Sequence, residues 1–164
     1  MIHVIIGNGR GKTSSAVGLA VRAAGHGFPV LFMQFLKNDS SGEIVILRKI
    51  PHLVIRHPAV DYGFTFQMTE EQLKETSVEY GKMIDEAVKS DAFMIVLDES
   101  IHALKAGLIK KEQLEKLLEK KCEIVLTGYE APEWLIIKAD YISNVKKIKH
   151  PYDNGVQARI GIEF

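Results

Sequence analysis

Gly7-Asn8-Gly9-Arg10-Gly11-Lys12-Thr13 follows the short apolar run Val4-Ile5-Ile6 and opens an alanine-rich stretch. A strand, a glycine-rich turn and a helix in that order make a phosphate cradle. Glycines let the chain turn tightly and aim backbone N–H groups at one anion, and the following helix adds the positive end of its dipole. Lys12 can then reach β- and γ-phosphates, and Thr13, followed by Ser14, can offer a hydroxyl to Mg²⁺. The spacing is unusual. The standard pattern G-x-x-x-x-G-K-[ST] calls for glycine at position 6, where Ile6 stands, so the loop is one residue short. The same glycines could form a plain tight turn, but Lys12-Thr13 and the strand–loop–helix context favour a nucleotide.

Outward from the cradle, strand and helix signals alternate. A strand is expected over His3 to Ile6 and a helix over Lys12 to Ala24, stopped by Gly25-His26-Gly27. Pro29 to Phe35 reads as a strand buried on both faces, and Leu53 to Ile55 as a weaker one. Thr69-Glu70-Glu71-Gln72 is a capping box, and Leu73, Tyr80, Ile84, Ala87 and Val88 stripe the helix that follows to Lys89. Further strands are expected over Phe93 to Leu97, Glu123 to Leu126, Tyr141 to Val145 and Val156 to Ile162. Helices are expected over Lys110 to Lys121 and from Pro132. The alternation predicts one α/β domain over residues 1–164, a mostly parallel sheet with helices on both faces, of the P-loop NTPase (RecA-like) type. In such sheets ligands sit beyond the carboxyl ends of the strands. The cradle, Asp98-Glu99 and Thr127-Gly128 all fall at such ends and are expected to line one crevice.

Composition narrows the function classes. The 164 residues are 46% hydrophobic and 26% charged, ordinary for a water-soluble globular chain. Basic and acidic residues number 21 each, so there is no charge footprint for nucleic acid or an anionic membrane. Cys122 is the only cysteine, which excludes an internal disulfide, and no leader or membrane-spanning run is visible. A cytoplasmic setting is expected. The histidines do not cluster as metal ligands: His52 and His57 would fall on opposite faces of a strand.

Three further features bear on chemistry. Met94-Ile95-Val96-Leu97-Asp98-Glu99 is an apolar strand ending in two acids. Opposite the cradle, Asp98 would hold Mg²⁺ through water and Glu99 would orient a reacting group; alone, such a pair is often only solvated. Arg22 reads equally as a snorkelling surface arginine or as a guanidinium turned toward phosphates. His57 to Phe66 places three aromatics in a Gly/Pro-containing stretch, either capping a core or forming an apolar wall for a large flat ligand.

Together these segments resemble the ATP:corrinoid adenosyltransferases. The resemblance runs nearly end to end. It covers the cradle, Arg22-Ala23-Ala24-Gly25-His26-Gly27, Gln34-Phe35-Leu36-Lys37 with Gly42-Glu43, and Gly63-Phe64-Thr65. It continues through Val96-Leu97-Asp98-Glu99, Leu126-Thr127-Gly128, Ala139-Asp140, Lys149-His150-Pro151 and Gly161-Ile162-Glu163-Phe164. A short cradle is itself a trait of that family. The resemblance implies a reaction in which a reduced corrinoid cobalt attacks the ribose 5′-carbon of ATP and triphosphate leaves. It implies ATP contacts from Gly7 to Ser14 and from Arg22, with Lys12 stabilising the departing triphosphate and Glu99 beside the nucleotide. Thr13 and Asp98 would hold Mg²⁺. Tyr62, Gly63, Phe64 and Phe66 would face the corrinoid, with Phe64 and Phe66 displacing its lower axial ligand. It further implies a homodimer and a reduced flavoprotein as electron donor.

The chain departs from the family pattern at four positions. Arg10 stands for lysine, Ser14 for threonine, Phe66 for tryptophan and Tyr129 for arginine. The N-terminal extension of longer members, which helps cover the site, does not precede the first strand here. Two other readings fit the cradle. A small phosphotransferase or NTPase would need a base and an acceptor site, and a nucleotide-dependent binding module would turn nothing over.

Overall fold

The computed structural model describes residues 1–37, 41–60, 62–63 and 65–163. Strand β1 (Ile2–Ile6) leads through the glycine loop into helix α1 (Lys12–Gly25), followed by β2 (Val30–Gln34), α2 (Gly42–Leu47) and β3 (Leu53–Arg56). Helix α3 (Glu70–Lys89), β4 (Met94–Asp98), α4 (Ser100–Lys105) and α5 (Lys111–Leu118) come next. The last elements are β5 (Glu123–Thr127), α6 (Glu133–Lys138) and β6 (Tyr141–Asn144). The six strands form one sheet in the order β3-β2-β4-β5-β1-β6, and every neighbouring pair is parallel.

Side-chain alternation divides the core between the two faces. On one face Ile5, Phe32, Val96 and Val125 pack with Ala16, Ala20, Ala23 and Ala24 of α1 and with Ile44 and Leu47 of α2. The small alanine surface lets α1 lie close to the sheet. On the other face Leu31, Met33, Ile95, Leu97, Ile124 and Leu126 pack with Tyr80 and Ile84 of α3, Leu114 and Leu117 of α5, and Leu135 of α6. Strands β2 and β4 are buried over their whole length, which explains their continuous apolar character.

The same parity positions the site. Gln34, Asp98 and Thr127 share the α1 face with Phe32, Val96 and Val125, because each lies two residues further along its strand. Gln34 and Asp98 are paired across β2 and β4, and all three are fully buried. Their polar groups therefore meet beyond the last apolar layer, beneath the N-terminus of α1.

Local signals hold where expected. The Thr69 hydroxyl accepts from the Gln72 N–H while the Gln72 side-chain oxygen accepts from the Thr69 N–H at 2.9 Å, completing the capping box. One expected strand is absent. Residues 156–162 contain no strand and end in a turn, with the Ile162 and Glu163 N–H groups bonded to the Arg159 carbonyl. Val156, Ile160 and Ile162 supply β-branched propensity, but they are 43%, 85% and 46% exposed, so no buried face exists to fix a strand. The expected helix over Lys110 to Lys121 is shorter at both ends, and the one-and-a-half-turn helices α2 and α4 were not anticipated.

Candidate active site

The glycine loop is strapped from behind. Gly7 adopts a φ of 121° and donates its N–H to the Tyr129 carbonyl at 2.9 Å. The Gly9 N–H donates to the Val145 carbonyl at 2.7 Å, and the Lys147 N–H donates to Asn8 Oδ1 at 2.8 Å. A Cβ at Gly7 would lie 2.2 Å from the Val145 oxygen, so only glycine fits against the exit of β6. This corrects one expectation: the Gly7 and Gly9 N–H groups face protein carbonyls rather than an anion. The first intrahelical bond runs from the Ser15 N–H to the Gly11 carbonyl, which leaves the Lys12, Thr13 and Ser14 N–H groups without intrahelical acceptors. These, rather than the glycine amides, are the donors α1 offers.

Below them lies a polar cluster. The Asp98 carboxylate accepts from Thr127 Oγ1 at 2.7 Å and from Thr13 Oγ1 at 3.0 Å. Lys37 Nζ donates to Asp98 Oδ2 and to Thr13 Oγ1, both at 3.0 Å. Gln34 Nε2 lies 3.5 Å from both Asp98 Oδ2 and Glu43 Oε1, and its own carbonyl oxygen is buried with no partner among the described residues. Lys12 Nζ folds back onto the Gly9 carbonyl at 3.0 Å. Burial works against the Lys37 ammonium, but Asp98, Glu99 and Glu43 outweigh it and hold its pKa above the ordinary value.

Glu99 follows Asp98 in a left-handed conformation, φ 60°, which costs a non-glycine residue backbone energy. Its N–H donates to Thr127 Oγ1 at 2.8 Å, and its carboxylate pairs with His102 Nδ1. Burial pushes its pKa up, but the His102 hydrogen bond and the Lys37 and Lys12 charges prevail and leave it below the ordinary value. The His102 ring stacks on Tyr129 at 6.4 Å.

A cavity of about 1130 Å³ opens over this cluster. Its lining includes Asn8 to Ser14, then Leu36, Lys37, Glu43, Gly63 and Glu99, and His150, Gly161, Ile162 and Glu163. The carbonyl of Ile162 accepts from Arg10 at 3.3 Å. The structure thus gathers Asn8 to Ser14, Glu99 and Gly63 around one space, without Gly7, and Asp98 is buried beneath Thr13. Tyr62 is tied to α3 by its hydroxyl, which donates to Glu75 at 2.5 Å. Phe66 lies in the 3₁₀ turn Thr65–Gln67 and is 80% exposed. Phe64 lies outside the described residues. Arg22 is exposed in the last turn of α1, about 15 Å along the helix axis from Lys12, and does not line this cavity.

Sequence reasoning did not assign roles to Lys37, Gln34, Glu43, Thr127 or His102. The usable signal was parity: Gln34 and Thr127 end strands on the face that carries Asp98. The hard oxygen donors of Thr13 and Asp98 suit Mg²⁺, which binds through one or two protein oxygens together with phosphates. No group of three or more His, Cys, Asp or Glu side chains among the described residues is arranged to hold a metal.

A parallel α/β sheet with a glycine loop, a lysine and a buried strand-end aspartate is consistent with the P-loop NTPase-like class. All of residues 1–164 match the sequence profile described as ATP:corrinoid adenosyltransferase BtuR/CobO/CobP, and the chain belongs to that family. It is 32% identical to the corrinoid adenosyltransferase of Pseudomonas aeruginosa strain PAO1, with 96% of this chain and 80% of that protein covered. Identity to the corrinoid adenosyltransferase of Escherichia coli K12 is 31%, covering all of this chain and 85% of that one. The figures are the same for the corrinoid adenosyltransferase CobA of Salmonella typhimurium LT2.

Proposed function

We propose that the protein transfers the 5′-deoxyadenosyl group of ATP to the cobalt of a reduced corrinoid and releases inorganic triphosphate. The carrying observation is the cluster Lys12–Thr13–Asp98–Lys37 at the floor of a cavity into which the first turn of α1 opens. In this reading the cobalt electron pair forms a bond to the ribose 5′-carbon while the bond from that carbon to the α-phosphate oxygen breaks. The electrons leave on the triphosphate, so negative charge grows on the phosphate chain.

The chain's own residues answer that charge. The Lys12, Thr13 and Ser14 amides and the α1 dipole bind the phosphates. Lys12 leaves the Gly9 carbonyl for the triphosphate, and Arg10 adds a second cation at the rim. Thr13 and Asp98 would hold Mg²⁺, which would supply further charge stabilisation on the leaving group. Glu99, fixed by Thr127 and His102, sits beside the nucleotide as an orienting group. The short loop supports this use: the strapped glycines leave the donors at the helix start, where a whole triphosphate can be held. Tyr62, Gly63, Phe64 and Phe66 form the corrinoid side, with Phe64 and Phe66 displacing the lower axial ligand. Phe66 is exposed at the surface, where a large flat molecule can reach its ring. Arg22 lies outside this cavity, and an ATP contact from it would need a site the cavity does not include.

The proposal takes residues 1–164 as one domain working as a cytoplasmic homodimer, with a reduced flavoprotein as electron donor. Its test is product analysis with ATP and cob(I)alamin or cob(I)inamide. Triphosphate and adenosylated corrinoid should appear in equal amounts, and no triphosphate should appear without corrinoid. ADP and phosphate released at a comparable rate without corrinoid would identify an NTPase instead.

A further inference from the structure

Lys37 occupies the place where a metal would meet its protein ligands. Its ammonium lies 3.0 Å from Thr13 Oγ1 and 3.0 Å from Asp98 Oδ2, the hydroxyl and carboxylate assigned above to Mg²⁺. The position is built rather than incidental. Phe35 donates its N–H to the Asp98 carbonyl at 3.0 Å, and Leu36, at φ 54°, donates its N–H to the buried Tyr80 hydroxyl at 2.7 Å. These two anchors turn the chain at the end of β2 and deliver Lys37 to the cavity floor. Asp98 is fully buried, and Lys37 is its ion-pair partner. Glu43 and Glu99 add two further negative charges around the same ammonium.

We infer that Lys37 is a tethered placeholder for the divalent cation: it keeps bare metal out of the Thr13–Asp98 site and yields the position when metal arrives with the nucleotide. Resting on the proposed function, this assigns Lys37 a positioning role. A free divalent ion must displace a covalently attached cation from its bonds to Thr13 and Asp98 and crowd that ammonium beside a second positive charge, so it binds poorly. A metal–nucleotide complex brings phosphate oxygens that can receive the displaced ammonium, so the exchange conserves charge pairing. After exchange Lys37 is a second ammonium on the phosphate chain, beside Lys12. Metal and nucleotide binding are therefore coupled through one side chain.

The test is Mn²⁺ binding followed by electron paramagnetic resonance, with and without ATP, on the wild type and on Lys37→Met and Lys37→Gln. Without ATP, both variants should bind Mn²⁺ about tenfold or more tighter than the wild type. Adding Asp98→Asn should abolish the gain. With ATP, the wild type should recover tight Mn²⁺ binding. Equal Mn²⁺ affinity of variants and wild type without ATP would overturn the placeholder role. Micromolar Mn²⁺ binding by the wild type without ATP would overturn it without any variant. Failure of the wild type to bind Mn²⁺ even with ATP would instead strike the metal–nucleotide reading on which the inference rests.

Discussion

Single side chains carry most of the chemistry, and two of them give separate tests. Among the described residues Lys12 donates one hydrogen bond, to the Gly9 carbonyl, so its removal breaks a local bond and leaves the core intact. If its role is to stabilise the departing triphosphate, Lys12→Ala should lower kcat about 100-fold or more while the unfolding midpoint stays nearly unchanged. Steady-state kinetics beside urea unfolding checks both, and unchanged turnover would remove Lys12 from the mechanism. Glu99 predicts a pH effect. His102, Lys37 and Lys12 overcome its burial and hold its pKa below the ordinary glutamate value of 4.5. A pKa depressed on folding adds stability above the unfolded value, and that stability is lost as pH falls through 4.5 toward the folded value. Glu99→Gln should therefore lose less stability than the wild type between neutral and acidic pH in urea titrations. Equal acid sensitivity would contradict the assignment.

At the scale of elements, the loop–helix junction separates two kinds of glycine. Gly7 has φ 121° and no room for a Cβ, whereas Gly18, inside α1, has nothing within 4 Å of that position. Gly7→Ala should destabilise by about 2 kcal/mol or more, and Gly18→Ala should stabilise by about 0.5–1 kcal/mol, both read from denaturant midpoints. Similar effects of the two substitutions would contradict the strapped loop. The elements that sequence revealed were those with a local cause. The β2 and β4 runs are apolar because both faces are covered, and α3 starts where its capping box stands. What sequence concealed has a non-local cause. Lys37 meets Asp98 only because β2 pairs with β4 in a register that sets Gln34 against Asp98. The strap on Gly7 and Gly9 comes from Tyr129 and Val145, more than a hundred residues away. Residues 156–162 misled in the other direction, since their β-branched residues find no face to bury.

Across the whole molecule, the parallel sheet collects its polar residues at one end. Asp98, Gln34 and Thr127 lie at the carboxyl ends of β4, β2 and β5, under the helix that follows β1. Above this end of the sheet lies the cavity, which Gly63, before α3, and the C-terminal Gly161, Ile162 and Glu163 help to line. No helix among the described residues is long and apolar enough to cross a membrane. In the proposed reaction the cavity holds triphosphate as a leaving group rather than presenting the γ-phosphate for attack. The most direct measurement is the phosphorus-31 NMR spectrum of the products formed from ATP and cob(I)alamin. Inorganic triphosphate appearing in step with the Co–C bond seen by visible absorption is the predicted result. ADP with orthophosphate, formed whether or not the corrinoid is present, would contradict it.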